Sequence, residues 1–248
     1  MKVCFFTITS QDEVNQRYTR MMSASLKKFH PDIPHIIKPF MPDLNFRIYA
    51  FYGRELAKEY DLVINIDNDS IVTGSLNDIL NDDSYDIGAV LNNNLVDPQL
   101  QMWDTPAPLY INAGLVAIRG KRLWDWWFAL SNSYHAASYR FREQDMLNII
   151  FSYGDCRTKI FDQSDSWYGL ISKGRWNKIV LKDDKLFMPK KVIEEYNSTG
   201  YSFTDKDKEI KLIHWAGGQV PKMNYWPLFE KSVAERIELL VGGENGKH

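Results

Sequence analysis

The sequence predicts an α/β protein with a mostly parallel central sheet flanked by helices. Over about the first seventy residues, short apolar runs alternate with stretches whose apolar residues recur at helical spacing, a pattern typical of strands joined by crossover helices. Leu62–Ile66 is a short apolar, β-branched run of the kind that forms a buried parallel strand. It ends abruptly in Asp67-Asn68-Asp69, at the position where open α/β sheets place their ligands.

The amino-terminal part of the chain follows this alternation. The predicted elements are strands over residues 2–8, 35–37 and 62–66 and helices over residues 10–29 and 46–60. Ser10 and Glu13 match a capping box, in which each side chain satisfies a backbone donor of the other residue. Gly53 is predicted to interrupt the second helix.

The remaining elements are read from the same signals. They are strands over residues 86–91 and 110–118, a short helix from residue 75, and helices over residues 121–131, 142–153 and 227–241. Gly154 is expected to end the helix before it. Residues 92–108 are polar and contain three prolines, which predicts a surface loop.

Length and composition limit the classes of protein. At 248 residues, without an internal repeat or a linker, the chain is expected to form one domain over residues 1–241, with a flexible tail at 242–248. The net charge of −2 gives no global field that would recruit nucleic acid or anionic lipid. Cys4 and Cys156 are too few for a disulfide framework or a thiolate metal cluster. No apolar run suggests a secretory signal or a membrane span, so a cytoplasmic protein is expected.

The acidic pair after the third strand carries the first functional hypothesis. Burying carboxylates at a strand end is costly unless a cation or hydrogen-bond donors compensate. With one residue between them, Asp67 and Asp69 can meet one hard divalent ion and leave room for phosphate oxygens. Asp-x-Asp is also common in solvated turns, and the strand in front of it favours the metal site.

Several motifs occur in a fixed order along the chain. They are Tyr60 ahead of the acidic pair, Asp67-Asn68-Asp69, Asn112-Ala113-Gly114, Glu143-Gln144-Asp145-Met-Leu-Asn148 and His214-x-x-Gly217. Together they resemble the motifs of retaining GT-A glycosyltransferases of the glycogenin and bacterial lipopolysaccharide galactosyltransferase type. The resemblance implies a single Rossmann-like GT-A domain, with a nucleotide-sugar-binding half over residues 1–120 and an acceptor-side half over residues 121–241.

The resemblance also implies an activity and its cofactor. A hexose would move from a nucleotide-diphosphate sugar, a UDP-sugar by family precedent, to an acceptor with retention of anomeric configuration. Asp67, Asp69 and His214 would hold Mn²⁺ or Mg²⁺. Considered by itself, His214 is more often a satisfied core histidine than a ligand, although imidazole with oxygen ligands suits manganese better than calcium. Gly217 would let the backbone approach the diphosphate, or would simply form a turn.

Further residues are expected around the nucleotide. Thr7 and Thr9 end the first strand, where a base would sit in such a sheet. Tyr18 would stack on that base, and packing in the core explains it equally well. Asn68 would face the ribose.

The transferred sugar is expected to meet a second group of residues. By resemblance, Asn112, Glu143 and Gln144 line the sugar, with Gln144 beside the anomeric carbon and Glu143 and Gln144 as the catalytic pair. The alternative for Glu143 is that it complements the amino end of its helix.

The chain departs from the family pattern at three basic or acidic positions. Glu143 stands where the family has the shorter aspartate. Lys222 would be the phosphate-binding lysine after a two-residue insertion, or that lysine is absent. Arg47 would stand for the family's early lysine if residues are inserted before Tyr60.

The sequence leaves two rival functions and several classes of acceptor open. The rivals are a phosphohydrolase with Asp67 as nucleophile and Asp69 as acid, and a non-catalytic module that binds a sugar nucleotide or glycan. The acceptor is a glycan, protein, lipid or nucleic acid. A basic stretch either orients an anionic acceptor or forms a solvated loop, and its members are Lys173, Arg175, Lys178, Lys182, Lys185, Lys190 and Lys191.

Overall fold

The computed structural model describes most of the chain. The described residues are 1–92, 110–133, 136, 141–161, 166–170, 178–196, 206–215 and 230–242. Contacts group the chain into two compact units. Unit 1 comprises Met1–Ser10, Ile33–Asp67 and Ile79–Ile160, and unit 2 comprises Gln11–Asp32, Asn68–Asp78 and Phe161–His248.

Unit 1 is built on a six-stranded sheet. Its strands are β1 (Val3–Thr9), β2 (His35–Pro39), β3 (Leu62–Ile66), β5 (Ile87–Leu91), β6 (Ile111–Arg119) and β7 (Thr158–Ile160). They lie in the order β2-β1-β3-β6-β5-β7. The β1–β2, β1–β3 and β5–β7 pairs are parallel, whereas β6 runs antiparallel to both of its neighbours. The sheet is therefore mixed and mainly parallel, as the alternation of strands and helices predicts.

Helices of unit 1 pack on this sheet and on one another. They are a 3₁₀ turn at Asn45–Arg47, α2 (Ile48–Leu56), α4 (Arg122–Ser131) and α5 (Glu143–Tyr153). Gly53 lies inside α2 and does not interrupt it, contrary to the expectation from sequence. A Cβ at this position would lie 2.1 Å from the Trp124 ring. Glycine is needed here because α2 and α4 approach closely, and this packing outweighs its low helix propensity.

Unit 2 contains a second sheet that the sequence does not predict. Its strands are β4 (Ser70–Val72), β8 (Ser166–Leu170), β9 (Val180–Lys182), β10 (Lys185–Met188) and β11 (Lys208–His214). The hydrogen-bonded order is β4-β11-β10-β9, all antiparallel, and β8 pairs in parallel with β11. Because β4 has only three residues, this pairing depends on partners far along the chain.

The structure describes four helices that lie wholly or partly in unit 2. They are α1 (Glu13–Phe29), α3 (Asn77–Leu80), α6 (Lys190–Tyr196) and α7 (Lys231–Leu240), of which α3 extends from unit 2 into unit 1. Side chains of α1 and its cap bind the segment around β4: Ser25 Oγ accepts from the Val72 amide at 3.0 Å and His30 Nε2 from the Leu76 amide at 2.9 Å. These bonds satisfy backbone donors that the short strand leaves unpaired.

The start of α1 differs from its prediction. Asp12, and not Ser10, is the N-cap, because its Oδ1 accepts from the Asn15 amide at 2.9 Å. The capping-box prediction for Ser10 and Glu13 is therefore wrong. The other boundaries agree with the sequence to within a few residues, except that the second predicted helix is a 3₁₀ turn followed by a shorter α2. The single domain over residues 1–241 stays a prediction.

Parts of the predicted organisation lie outside the described residues. They include most of the loop predicted over 92–108 and all but the first residue of the predicted tail. Among the helices that the structure describes, none has the length and apolar content needed to cross a membrane.

Candidate functional site

The Asn112-Ala113-Gly114 motif forms a bulge in β6. The register between β5 and β6 shifts between Ala89, which pairs with Val116, and Val90, which pairs with Asn112. Residues 113–115 therefore have no partner on β5, and their backbone groups need other partners. Polar side chains and the end of β3 supply them.

Two hydrogen bonds, one from the backbone and one from a side chain, join this bulge to the end of β3 and to the acidic motif. The Asp67 amide donates to the Gly114 carbonyl at 2.9 Å, and Asn65 Nδ2 donates to the Ala113 carbonyl at 3.0 Å. Asn65 is fully buried, and it is the polar residue inside the apolar run of β3. The bulge therefore fixes the position of the Asp67 backbone, from which the carboxylate projects.

Gln144 completes the bulge from the first turn of α5. Its Oε1 accepts from the Ala113 amide at 3.0 Å and from Asn112 Nδ2 at 3.2 Å, while Asn112 Oδ1 accepts from the Gly114 amide at 2.8 Å. A backbone amide can only donate, so these bonds settle which atoms of both side chains are oxygens. The Gln144 oxygen is consequently committed to the protein, and only its amide hydrogens remain to bind a ligand.

The start of α5 is held by a buried polar network. Tyr110 donates its hydroxyl hydrogen to Asp145 Oδ1, and Asp145 Oδ2 accepts from the Phe141 amide at 2.7 Å. Burial raises the pKa of Asp145, and its hydrogen bonds to Tyr110 and to the backbone act in the opposite direction. One carboxylate thus fixes the turn from which Arg142 and Glu143 project.

Asn148 fixes the other end of this turn against β6. Its Oδ1 accepts from the Ile111 amide at 2.7 Å, and its Nδ2 donates to the Ile111 carbonyl at 2.9 Å and the Gln144 carbonyl at 2.8 Å. The fully buried Asn148 side chain therefore satisfies both backbone groups of Ile111, as a neighbouring strand would.

Glu143, in the first turn of α5, has a strongly perturbed pKa. Burial, with smaller contributions from the Asp67 and Asp145 charges, raises its pKa to about 7. A carboxyl group that titrates near neutrality can donate or accept a proton under physiological conditions.

The second acidic residue of the motif pairs with the predicted histidine inside unit 2. His214 ends β11 opposite Ser70 of β4, and the Trp215 amide donates to the Asp69 carbonyl at 3.0 Å. This pairing brings His214 Nε2 to 3.1 Å from Asp69 Oδ1. The two side chains are only 4% and 11% exposed, so the pair is largely shielded from solvent.

The donor set fits a divalent cation. Asp67, Asp69 and His214 each offer a ligand atom, and these atoms lie within 4.8 Å of one another. Neighbouring ligands of a six-coordinate ion with bonds of about 2.1 Å are about 3 Å apart, which agrees with the Asp69–His214 distance. Two carboxylates with one imidazole suit manganese better than calcium.

The residues predicted around the base have structural bonds of their own. Thr7 is fully buried, donates its hydroxyl hydrogen to the Ile66 carbonyl at 2.8 Å, and lies 3.1 Å from His35 Nε2. Thr9 Oγ1 donates to the Ser10 carbonyl at 3.2 Å. Their location at the carboxyl end of β1 agrees with the expected position, and a role in binding a base stays a prediction.

Tyr18 and Asn68 lie in unit 2. Tyr18 is 3% exposed and packs in the hydrophobic core with residues such as Met21 and Ile71, which corresponds to the core alternative for this tyrosine. Asn68 Nδ2 donates to Asn15 Oδ1 at 3.1 Å, which ties the middle of the acidic motif to α1. Stacking by Tyr18 and ribose binding by Asn68 stay predictions.

Three predicted basic or glycine positions give less information. The Arg47 guanidinium donates to the Leu44 and Asp43 carbonyls and to Asn132 Oδ1, so it stabilises the turn before α2. Gly217 and Lys222 lie outside the described residues. Phosphate binding by Arg47 or Lys222 therefore stays a prediction.

Three lysines in the described part of the basic stretch form ion pairs with acidic side chains. They are Lys182–Asp207, Lys185–Glu209 and Lys190–Glu194, at 2.6, 3.2 and 3.6 Å. These pairs reduce the local positive charge that an anionic acceptor would meet.

Solved structures of glycosyltransferases share this fold. The galactosyltransferase LgtC, in complex with donor and acceptor sugar analogues, aligns over 100% of this chain and 98% of its own, with 15% identity and a TM-score of 0.56. A glycosyltransferase involved in glycosylation of the major capsid of PBCV-1 aligns over 96% of this chain and 98% of its own, with 12% identity and a TM-score of 0.52. The bifunctional glycosyltransferase WbbM aligns over 87% of this chain and 46% of its own, with 14% identity and a TM-score of 0.57.

These likenesses define the class of fold as that of the GT-A glycosyltransferases. Within this class, the chain resembles the LgtC type over its whole length, and the resemblance predicted from the ordered motifs is confirmed at the level of fold. No family model and no curated protein sequence matches the chain.

Sequence reasoning missed several residues that build the site. Asn65, Tyr110 and Asp145 were not assigned roles, although each supports the bulge or the start of α5. Asn65 had a detectable signal, because a polar residue inside a buried strand must find a partner. Tyr110 and Asp145 had none, since their bond joins positions 35 residues apart.

Proposed function

We propose that this protein is a metal-dependent glycosyltransferase that transfers a hexose from a nucleotide-diphosphate sugar to an acceptor. The donor in this proposal is a UDP-sugar, and the anomeric configuration is retained. The observation that carries it is the Asp69–His214 pair at 3.1 Å, following a strand-end Asp67, in a chain with the glycosyltransferase fold. The proteins named above are glycosyltransferases that share this fold, and the cation-binding chemistry is argued from the residues of this chain.

Asp67, Asp69 and His214 would hold the cation. Bound there, Mn²⁺ or Mg²⁺ would supply positive charge to the diphosphate leaving group. The protein preorganises two of these ligands through the backbone bond between Trp215 and Asp69 and through the β4–β11 pairing. Ligands fixed by such bonds need little reorganisation when the charge on the leaving group develops.

Asn112, Glu143 and Gln144 are assigned to the transferred sugar. With its oxygen bonded to Ala113 and Asn112, Gln144 contributes N–H donors and not a lone pair. This favours a role in orienting the sugar or stabilising negative charge over nucleophilic attack by the amide oxygen. Glu143, with a pKa near 7, would bind a sugar hydroxyl as donor or acceptor.

The remaining assignments concern the nucleotide and the acceptor. Thr7, Thr9 and Tyr18 are assigned to the base and Asn68 to the ribose, while Arg47, Gly217 and Lys222 are assigned to the diphosphate. The acceptor is proposed only as a hydroxyl-bearing glycan, protein, lipid or nucleic acid. These assignments rest on the motif resemblance and are open to direct tests.

A panel of nucleotide sugars with and without Mn²⁺ tests the proposal. The protein should gain thermal stability from a UDP-hexose only when Mn²⁺ is present, because a ligand that binds the folded state raises Tm by mass action. Asp69→Asn should lose this gain, while Asp83→Asn, a change at an exposed aspartate of unit 1, should keep it. Stabilisation that is equal in EDTA, or turnover of an aryl phosphate in place of a sugar nucleotide, would contradict it.

A further inference from the structure

Ser70 places a hydroxyl group directly beside the imidazole of His214. β4 and β11 are antiparallel, and Ser70 is the partner of His214 in their register. The Trp215 amide donates to the Asp69 carbonyl at 3.0 Å, so the neighbouring pair is joined by a backbone hydrogen bond. Hydrogen-bonded and non-hydrogen-bonded pairs alternate along such a ladder, and Ser70 and His214 therefore form a non-hydrogen-bonded pair. The Cα atoms of such a pair are about 4.5 Å apart, and both side chains lie on the same face of the sheet.

The Ser70 hydroxyl is buried without a partner. Ser70 is 1% exposed, and among the residues that the structure describes its Oγ has no hydrogen-bond partner. The next pair on this face, Val72 with Leu212, is apolar and fully buried. A buried hydroxyl that makes no hydrogen bond costs free energy. Packing of the sheet does not explain this group, and a ligand that binds beside it is an established reason for retaining one.

The imidazole of His214 needs a hydrogen-bond partner when its Nε2 binds a cation. Nε2 lies 3.1 Å from Asp69 Oδ1, and a carboxylate oxygen can only accept, so Nε2 carries the hydrogen of this pair. To bind a cation, Nε2 must offer its lone pair, and the neutral ring then carries its hydrogen on Nδ1. His214 is 3% exposed, so this N–H requires an acceptor within the protein. Histidines that bind metals generally donate their second N–H in this way, which fixes the orientation of the ring.

We propose that Ser70 is a positioning residue of the metal site: its hydroxyl oxygen accepts from Nδ1–H of His214 and keeps the Nε2 lone pair directed at the cation. The proposal rests on the proposed function, which assigns the cation to Asp67, Asp69 and His214. A hydroxyl suits this position because it can donate to a bare ring nitrogen or accept from a protonated one. Ser70 therefore acts through His214 and contributes to metal affinity more than to the stability of the sheet.

Mn²⁺ binding without nucleotide tests the proposal on the full chain, with free Mn²⁺ measured by EPR. Ser70→Ala should weaken Mn²⁺ binding by about 10- to 100-fold, which is the usual cost of removing a group that orients a metal ligand. Ser70→Thr keeps a hydroxyl on the same carbon and should restore most of the affinity. Wild-type affinity in Ser70→Ala, or an equal loss in Ser70→Thr, would overturn the proposal.

Ser131 supplies a matched control in α4 of unit 1. It is also 1% exposed, and within the described residues its Oγ has no hydrogen-bond partner. Ser131→Ala should leave Mn²⁺ binding unchanged. In EDTA, neither alanine variant should lower the urea midpoint of unfolding, because each removes a buried hydroxyl that makes no hydrogen bond. A lower midpoint for Ser70→Ala, or equal losses of Mn²⁺ affinity in the two variants, would refute a specific role of Ser70 in metal binding.

Nitrogen-15 NMR of the His214 ring gives a readout that a purely structural role would not change. With saturating Mg²⁺ as a diamagnetic probe, the wild type should carry the ring hydrogen on Nδ1 and exchange it slowly with water. In Ser70→Ala the same hydrogen should exchange faster, because its acceptor is gone. A ring hydrogen that stays on Nε2 in the wild type would contradict the proposed hydrogen bond.

The same measurements separate this proposal from the proposed function. Mn²⁺ binding by the wild type that Ser70→Ala leaves intact refutes only the role of Ser70. Mn²⁺ binding that depends on Ser70, in a protein that binds no sugar nucleotide, refutes only the proposed function. A wild-type protein that does not bind Mn²⁺ refutes the metal site and both proposals with it.

Discussion

His214 Nε2 lies 3.1 Å from Asp69 Oδ1, although the two residues are more than 140 positions apart in the sequence. Asp69 directly precedes β4 and His214 ends β11, and these two strands are paired. The pairing of β4 with β11 creates this proximity. The short distance, low exposure and mixed carboxylate–imidazole chemistry suit a divalent cation. The predictions below begin with this pair.

Removal of the imidazole should abolish stabilisation by metal. Excess Mn²⁺ at about a hundred times its Kd should raise the free energy of unfolding of the wild-type protein by about 2.7 kcal/mol. His214→Ala should lose most of this increment because one of three ligands is gone, while Asp83→Asn should retain it. Denaturant unfolding with Mn²⁺ or EDTA measures the effect. An unchanged increment in His214→Ala would remove this histidine from the metal site.

Two variants of Gln144 should separate its structural role, as acceptor for the Ala113 amide, from its proposed role as an N–H donor to the substrate. Gln144→Ala leaves the Ala113 amide without its acceptor and should lower the free energy of unfolding by about 1–3 kcal/mol. Gln144→Glu keeps an acceptor for this amide but removes the N–H donors. It should therefore retain most of the stability and lose about a hundredfold in kcat. Melting curves and single-turnover kinetics distinguish the effects, and wild-type kcat in Gln144→Glu would exclude a donor role.

The close approach at Gly53 should tolerate no added methyl group. Gly53→Ala places a Cβ about where the Trp124 ring lies, 2.1 Å from its nearest atom, and should destabilise unit 1 by about 1–3 kcal/mol. Trp124→Leu should itself be destabilising, but the double variant should lose less than the sum of the two. A double-mutant cycle in urea measures this coupling. Strict additivity would mean that the helices have moved apart.

Glu143 should make the metal-free protein less stable as the pH rises. Its ordinary pKa of 4.5 is raised to about 7 by burial and by the neighbouring acidic charges. The folded state therefore binds the proton more tightly than the unfolded state, and the contribution to stability is complete below pH 4.5 and lost as the pH rises through about 7.

Glu143→Gln removes this titration. Between about pH 5 and about pH 8, the variant should gain on the order of 1–3 kcal/mol relative to wild type. Urea unfolding in EDTA at the two pH values measures the difference. Glu55→Gln is the control, since a hydrogen bond from Lys58 lowers the pKa of Glu55 and no such gain should appear. A pH-independent difference for Glu143→Gln would contradict the raised pKa.

Local sequence patterns predicted the strands of the first sheet other than β7, and the acidic end of β3. Leu62–Ile66 pairs with β1 and β6 as a buried central strand, because an apolar β-branched run leaves few alternatives. The motif order also named His214 and Gln144 as candidate site residues, and their roles stay predictions. The strand predictions are confirmed because each depends on a short segment.

The second sheet and the β6 bulge could not be predicted in the same way. β4 is only three residues long, and its partner β11 begins at Lys208. The bulge depends on bonds from Asn65 and Gln144, which no local pattern connects. The choice of Asp12 over Ser10 as the cap of α1 has a different cause. It is local, and two residues that can each cap a helix stand two positions apart.

Release of UDP from a UDP-hexose by the wild-type protein and by Asp69→Asn, each with Mn²⁺ and with EDTA, tests the central claim most directly. The account predicts release by the wild type with Mn²⁺, and at least a hundredfold less in the other three samples because the leaving group lacks its compensating charge. Equal release by Asp69→Asn with Mn²⁺, or by the wild type in EDTA, would contradict a metal-dependent glycosyltransferase.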